Sequence, residues 1–94
     1  MKVAIYILCD EDLQPRYVGR SSNPAYRFTR HMRKAPYHAK KLTQWLESML
    51  PRRPTMHIVE WVDELHADRR EKNWIQCMQD AGANLVNSVH NARK

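Results

Sequence analysis

The 94-residue sequence is poor in the residues that most often reveal how a small protein is held together. It has two cysteines, two glycines and one phenylalanine. Cys9 and Cys77 have no partner at C-x-x-C spacing and no histidines at zinc-binding spacing. A disulfide framework and a zinc module are thereby excluded. Both cysteines are expected to be reduced, small apolar residues in a cytoplasmic protein. No apolar run approaches the roughly 18 residues needed to span a membrane. Asp10, Glu11 and Asp12 interrupt the first apolar stretch short of signal-sequence length. Secretion and membrane insertion are not expected. The chain also lacks an internal repeat, a low-complexity tract, a Gly-rich phosphate loop, G-x-S-x-G and H-E-x-x-H.

Positive charge is what the chain has in excess: 16 Lys and Arg face 10 Asp and Glu, a formal net charge of +6. This balance points to a polyanionic partner, nucleic acid ahead of an acidic membrane. The apolar fraction of 43% suits one modest core, and residues 1–94 are expected to form a single domain.

Val3-Ala4-Ile5-Tyr6-Ile7-Leu8-Cys9 is β-branched and aromatic, and predicts a strand buried on both faces. Asp10-Glu11-Asp12 is a polar turn, and Arg16-Tyr17-Val18-Gly19 a second strand, antiparallel to the first. A turn centred on Glu11-Asp12 sets Tyr6 opposite Tyr17 on one face. Ser21-Ser22-Asn23-Pro24 predicts a helix start, with a capping side chain ahead of proline. That helix is expected to reach about Lys34, with an apolar stripe of Ala25, Phe28, Met32 and Ala35 and a basic stripe of Arg27, Arg30, His31 and Lys34. A second helix is expected from Tyr37-His38, with Leu42, Trp45, Leu46 and Met49 at core spacing, ending at Leu50-Pro51. Met56 to Val62 predicts a third strand. Asp63 is the expected cap of a long helix running to Ala81, with Gly82 as its left-handed terminator. The tail Leu85 to Val89 is expected to pack back on the body, and Arg93-Lys94 to fray. The fold class is α+β: a small three-stranded antiparallel sheet flanked by three helices.

Three features break these patterns. Glu71 sits inside the apolar stripe of Ala67, Trp74, Ile75 and Met78, where a carboxylate is costly unless it is paired, protonated or metal-bound. The ordinary explanation is a salt bridge at the core edge, near Arg70 or to a basic residue of the first helix. Arg27 and His31 lie one turn apart on the flank of their helix, where they can line a cleft; a solvated basic face is the alternative. Gly19 follows Tyr17-Val18 at a strand end, where a bulge or the close approach of another group calls for glycine.

In order, these residues resemble the GIY-YIG nuclease family. Ala4-Ile5-Tyr6 stands where the family has Gly-Ile-Tyr, and Tyr17-Val18-Gly19 where it has Tyr-Ile-Gly. Arg27 matches the family arginine, His31 the frequent histidine one turn later, and Glu71 the glutamate of the third helix, within Glu71-Lys72-Asn73-Trp74-Ile75. Asn87 is preferred over Asn84 for the closing asparagine, on its Leu-x-Asn context. Ala4 and Val18 are small apolar departures that remove no functional group. Nothing is left over for a separate DNA-targeting domain.

The resemblance implies hydrolysis of phosphodiester bonds in DNA with magnesium or manganese. Glu71 is then the metal ligand, since a hard cation that keeps its waters can take a single carboxylate. Arg27 would grip phosphate oxygens through its planar fork. Tyr6 and Tyr17 would orient water and phosphate, with Tyr6, Tyr17 and His31 the three possible general bases. Asn87 would support the site through amide hydrogen bonds. His38 is a weaker candidate with an ordinary structural alternative. Arg16, Arg20, Arg30, Arg33, Lys34, Lys40, Lys41, Arg52 and Arg53 would track the backbone, or serve as plain surface charges. The competing functional readings are a catalytically inactive nucleic-acid-binding module and a protein-interaction domain.

Overall fold

A computed structural model of the chain describes residues 1–33 and 40–87. The elements follow the order β1 (Lys2–Cys9), β2 (Pro15–Ser21), α1 (Pro24–His31), α2 (Lys40–Met49), β3 (Thr55–Asp63) and α3 (Glu64–Asp80). The three strands form one antiparallel sheet in the order β2-β1-β3. This is the α+β architecture expected of the sequence.

β1 is central, and every residue from Val3 to Cys9 is buried. Its alternate side chains feed two cores, which is why its sequence is a continuous apolar run. Val3, Ile5, Ile7 and Cys9 join Val18, Val62 and the α3 residues Ala67 and Ile75. Tyr6 and Leu8 join Leu42, Trp45 and Met49 of α2, with Phe28 of α1 packed against them. The sheet thus lies between α3 on one face and α1 with α2 on the other. A buried side chain such as Leu42 contributes about 1.5–3 kcal/mol through its transfer from water.

The β1–β2 register differs from the expected one. Tyr6 faces Gly19, and Tyr17 faces Leu8. The two tyrosines share a face but sit diagonally. The turn is longer than Glu11-Asp12 alone: Asp10 and Gln14 close it through a 3.0 Å backbone bond, and the Asp10 carboxylate accepts from the amides of Asp12 and Gln14. A register shift beyond Leu8 absorbs the extra chain.

Asn23 caps α1 by accepting from the Tyr26 amide at 3.2 Å, with Pro24 in the first turn. The helix stops at His31, short of Lys34. The Met32 amide is shared between the carbonyls of Phe28 and Thr29, and this tightened last turn closes the helix. Ala25 is exposed, so Phe28 carries the packing on that stripe. The expected contributions of Lys34 and Ala35, the α2 start at Tyr37-His38, and the ends Ser88-Val89 and Arg93-Lys94 lie outside the described residues.

Asp63 precedes α3 as expected but makes no side-chain cap, because its carboxylate pairs with Lys2 Nζ at 3.1 Å. The far end closes on Gly82, whose φ is +98°: the Ala83 amide reaches back to the Met78 carbonyl and the Gly82 amide to that of Gln79. The chain then returns along β2, where the Val86 amide donates to the Arg16 carbonyl. Among the described residues no helix is long and apolar enough to cross a membrane, and Cys9 and Cys77 are both free thiols.

Candidate active site at the β2 edge

The site begins with a close approach that only glycine permits. A Cβ on Gly19 would lie 2.5 Å from both Cζ and Oη of Tyr6 and 2.8 Å from a ring carbon of Tyr17. Gly19 is therefore the floor on which the two phenol rings lie, the second of the two reasons the sequence offered for it. The ring centroids of Tyr6 and Tyr17 are 6.4 Å apart. Their diagonal placement across β1 and β2 brings the rings together over the missing side chain.

His31 completes this cluster. It is 2% exposed, the one buried charged or polar side chain among the described residues. Its ring meets Tyr6 and Tyr17 edge-on, at 5.9 and 5.7 Å between centroids. Nε2 lies 2.8 Å from the Tyr6 hydroxyl. The basic stripe read along α1 is corrected here: His31 leaves it for the interior, while Arg27 stays exposed. Arg30 bonds the Tyr26 hydroxyl at 2.9 Å and lies over its ring.

Burial pushes the Tyr6 hydroxyl far above the ordinary phenol range, with Tyr17 adding to the effect. Tyr17 is raised chiefly by burial and then by the charge of Glu71, with Arg27 opposing. Neither phenol is an anion near neutral pH. Each is a neutral group that donates and accepts hydrogen bonds. Arg27 and Glu71 are both close enough to act on the two hydroxyls electrostatically.

Glu71, on α3, is near enough for its charge to raise both phenols. Its side chain is 20% exposed, and its one ion pair among the described residues is to Arg20, Nε to Oε1, at 3.5 Å. The salt bridge considered from sequence is present, but with Arg20 of β2 as its partner, while Arg27 of α1 acts on Glu71 through its charge. Arg70 instead binds Glu60 on β3. Among the described residues the Glu71 carboxylate accepts no hydrogen bond. Burial raises its proton affinity, and Arg20 pulls it back down. A largely desolvated carboxylate with one long contact suits a hard cation, which prefers oxygen ligands and brings its own water. No group of three or more His, Cys, Asp or Glu is gathered among the described residues.

Asn87 holds the opposite side of β2. Its Oδ1 accepts from the Val18 amide at 2.9 Å and its Nδ2 donates to the Val18 carbonyl at 2.8 Å. The amide continues the ladder on the open edge of β2 and fixes the backbone between Tyr17 and Gly19. Asn84 contributes only its carbonyl, to Arg16 Nε at 2.7 Å.

Four of the basic residues assigned to backbone tracking are engaged within the fold. Arg16 lies 5.5 Å above the Trp45 ring, Arg30 holds Tyr26, Arg52 pairs with Glu11, and Arg20 reaches Asp68 and Glu71. Arg20 is the site residue that sequence reasoning missed. The available signal was strand alternation, which sets Val18 and Arg20 on the α3 side of β2. His38 lies outside the described residues. Burial, with Asp10 nearby, pushes the Cys9 thiol up, in keeping with an unreactive strand cysteine.

The profile of the GIY-YIG catalytic domain matches residues 2–84 of the chain. No curated protein and no solved structure gives a match.

Proposed function

The chain belongs to the GIY-YIG catalytic domain family, and from that premise we propose that it is a metal-dependent DNA endonuclease acting by a single-metal mechanism. Membership implies nuclease-type activity in general. The carrying observation for the finer reading is Glu71, a desolvated carboxylate with one long ionic contact, whose charge acts on two neutral phenols.

Glu71 would hold magnesium or manganese, which when bound supplies positive charge against the phosphate and the leaving oxygen. Arg27, exposed at the mouth of the site, would hold non-bridging phosphate oxygens and grip them harder as charge develops. The rest is proton transfer. Tyr6 cannot serve as a preformed phenolate, because burial opposes its ionisation. It can relay: the attacking water gives its proton to the Tyr6 oxygen while the Tyr6 hydroxyl proton passes 2.8 Å to His31 Nε2. The imidazole, not the phenol, ends with the charge. Tyr17 would orient the water or the phosphate, and Asn87 would act by positioning β2.

The net charge of +6 supports a DNA partner bound largely through its backbone. The free cysteines support a reducing, cytoplasmic setting. The Arg20 contact favours one second reading, a catalytically idle nucleic-acid-binding module with Glu71 permanently neutralised. A cleavage panel over duplex, branched, nicked and single-stranded DNA, with magnesium or with EDTA, separates the two. Cutting that needs the metal supports the nuclease. Cutting that persists in EDTA contradicts the single-metal mechanism, and salt-dependent binding with no cutting anywhere supports the idle module.

A further inference from the structure

Arg20 stands between two carboxylates of α3. Its Nε lies 3.5 Å from Glu71 Oε1 and its Nη1 lies 3.4 Å from Asp68 Oδ1. Both distances are long for charge-assisted bonds, which favour about 2.7–2.9 Å. The guanidinium is tightly seated on neither. Asp68 and Glu71 are three residues apart on one helix, so their side chains are neighbours on one side of it. The two seats differ in exposure: the Glu71 side chain is 20% exposed, that of Asp68 63%, and that of Arg20 itself 40%. Asp68 has a second cation in Lys72, at 3.1 Å from its other oxygen, whereas Arg20 is the sole ion-pair partner of Glu71 among the described residues.

From this geometry we infer that Arg20 is a built-in competitor of the divalent cation: it occupies Glu71 when no metal is bound and moves onto Asp68 when one arrives. The inference rests on the reading of Glu71 as the metal ligand. Arginine and metal cannot both neutralise one carboxylate oxygen, and a guanidinium left beside a divalent ion repels it. Their binding is therefore mutually antagonistic, and the antagonism is reciprocal. Until a metal comes, Arg20 gives a desolvated carboxylate its ion-pair partner among the described residues. Asp68, one turn away, makes the transfer short and keeps the displaced charge paired. No other basic side chain recorded at the site spans two acids in this way: Arg70 is fully engaged by Glu60.

Binding of manganese alone, followed by the electron paramagnetic resonance signal of the free ion, tests this without reference to cutting. Arg20→Gln keeps most of the stem and removes the charge. It should tighten manganese binding about tenfold, as loss of a nearby positive charge predicts. Asp68→Asn should weaken binding in the wild-type background and have a clearly smaller effect in the Arg20→Gln background, because the seat matters only while the arginine exists. Circular dichroism confirms that each variant is folded, and Arg20→Met serves if Arg20→Gln is not. Unchanged or weaker binding in the Arg20 variant, with binding lost in Glu71→Gln, overturns the competitor role and leaves the metal site standing. An equal Asp68→Asn effect in both backgrounds reduces Asp68 to a mere charge and overturns the transfer. Manganese bound as well by Glu71→Gln as by wild type removes the metal reading itself.

Discussion

Two partly exposed glutamates, one on β3 and one on α3, are differently treated. Glu60, on β3, has a side chain 30% exposed; one of its oxygens accepts from Arg70 Nε and Nη2 at 3.0 Å and from Trp74 Nε1 at 2.9 Å. These donors, the Trp74 bond first, hold its carboxyl below the usual range. Glu71, on α3 itself, is 20% exposed, has one contact at 3.5 Å, and is pushed upward by burial. Burial and donors both set the difference: desolvation leads at Glu71, and hydrogen bonds from Trp74 and Arg70 lead at Glu60. A carboxylate recruited for structure is saturated with donors. One left short of them while desolvated retains capacity for a ligand, and here its charge acts on two phenols and is opposed by Arg20 and Arg27.

The comparison can be broken by exchanging which corner is damaged. Arg27→Ala, at the Glu71 corner, should cut the cleavage rate about a hundredfold or more while leaving stability within about 0.5 kcal/mol. Arg70→Ala, at the Glu60 corner, should lower the unfolding midpoint and leave the rate per folded molecule unchanged. Single-turnover cleavage beside thermal denaturation reads both, and the same pattern in the two variants would erase the distinction. The glycines sharpen it further. Gly19→Ala drives a methyl into both phenol rings and should cost about 1–3 kcal/mol together with activity. Gly82→Ala meets open space at a φ of +98° and should cost about 1 kcal/mol of stability alone.

The smallest effect is in pH, and the two glutamates carry opposite signs. The folded chain binds a proton at Glu71 more tightly than the unfolded chain does, so this group's stabilisation is complete at low pH and is lost as pH rises from the ordinary glutamate range through the raised value. Glu60 is held low, so its stabilisation is present above the ordinary range and is lost as pH falls through the lowered value. Urea midpoints measured across the acidic range should lose the first slope in Glu71→Gln and the second in Glu60→Gln. Cleavage by the wild type should begin to fall, on acidification, above the ordinary glutamate range, because the ionised form holds the metal.

Much of this was legible in the chain. Period-2 and period-3.6 patterns located all six elements, and the capping chemistry of Asn23-Pro24 and Gly82 marked their ends. Glu71 stood out because a carboxylate broke an apolar stripe. What escaped depends on contacts distant in sequence. The hairpin register turned on Asp10 organising a longer turn, which hydrophobic alternation cannot specify to within two residues. The place of His31 one turn from Arg27 lets it line a cleft but does not give its burial, which only the phenols of β1 and β2 explain. Arg20 carried no local anomaly at all: an arginine at a strand end is ordinary until α3 brings two acids beside it.

The central claim is that Glu71 is the reactive acid and Glu60 the structural one. Cleavage of supercoiled plasmid in magnesium by Glu71→Gln and Glu60→Gln, compared at equal concentrations of folded protein, tests it most directly. The account predicts a loss of at least about a hundredfold for Glu71→Gln and near wild-type cutting for Glu60→Gln. Cutting retained by Glu71→Gln, or lost equally in both, would contradict it.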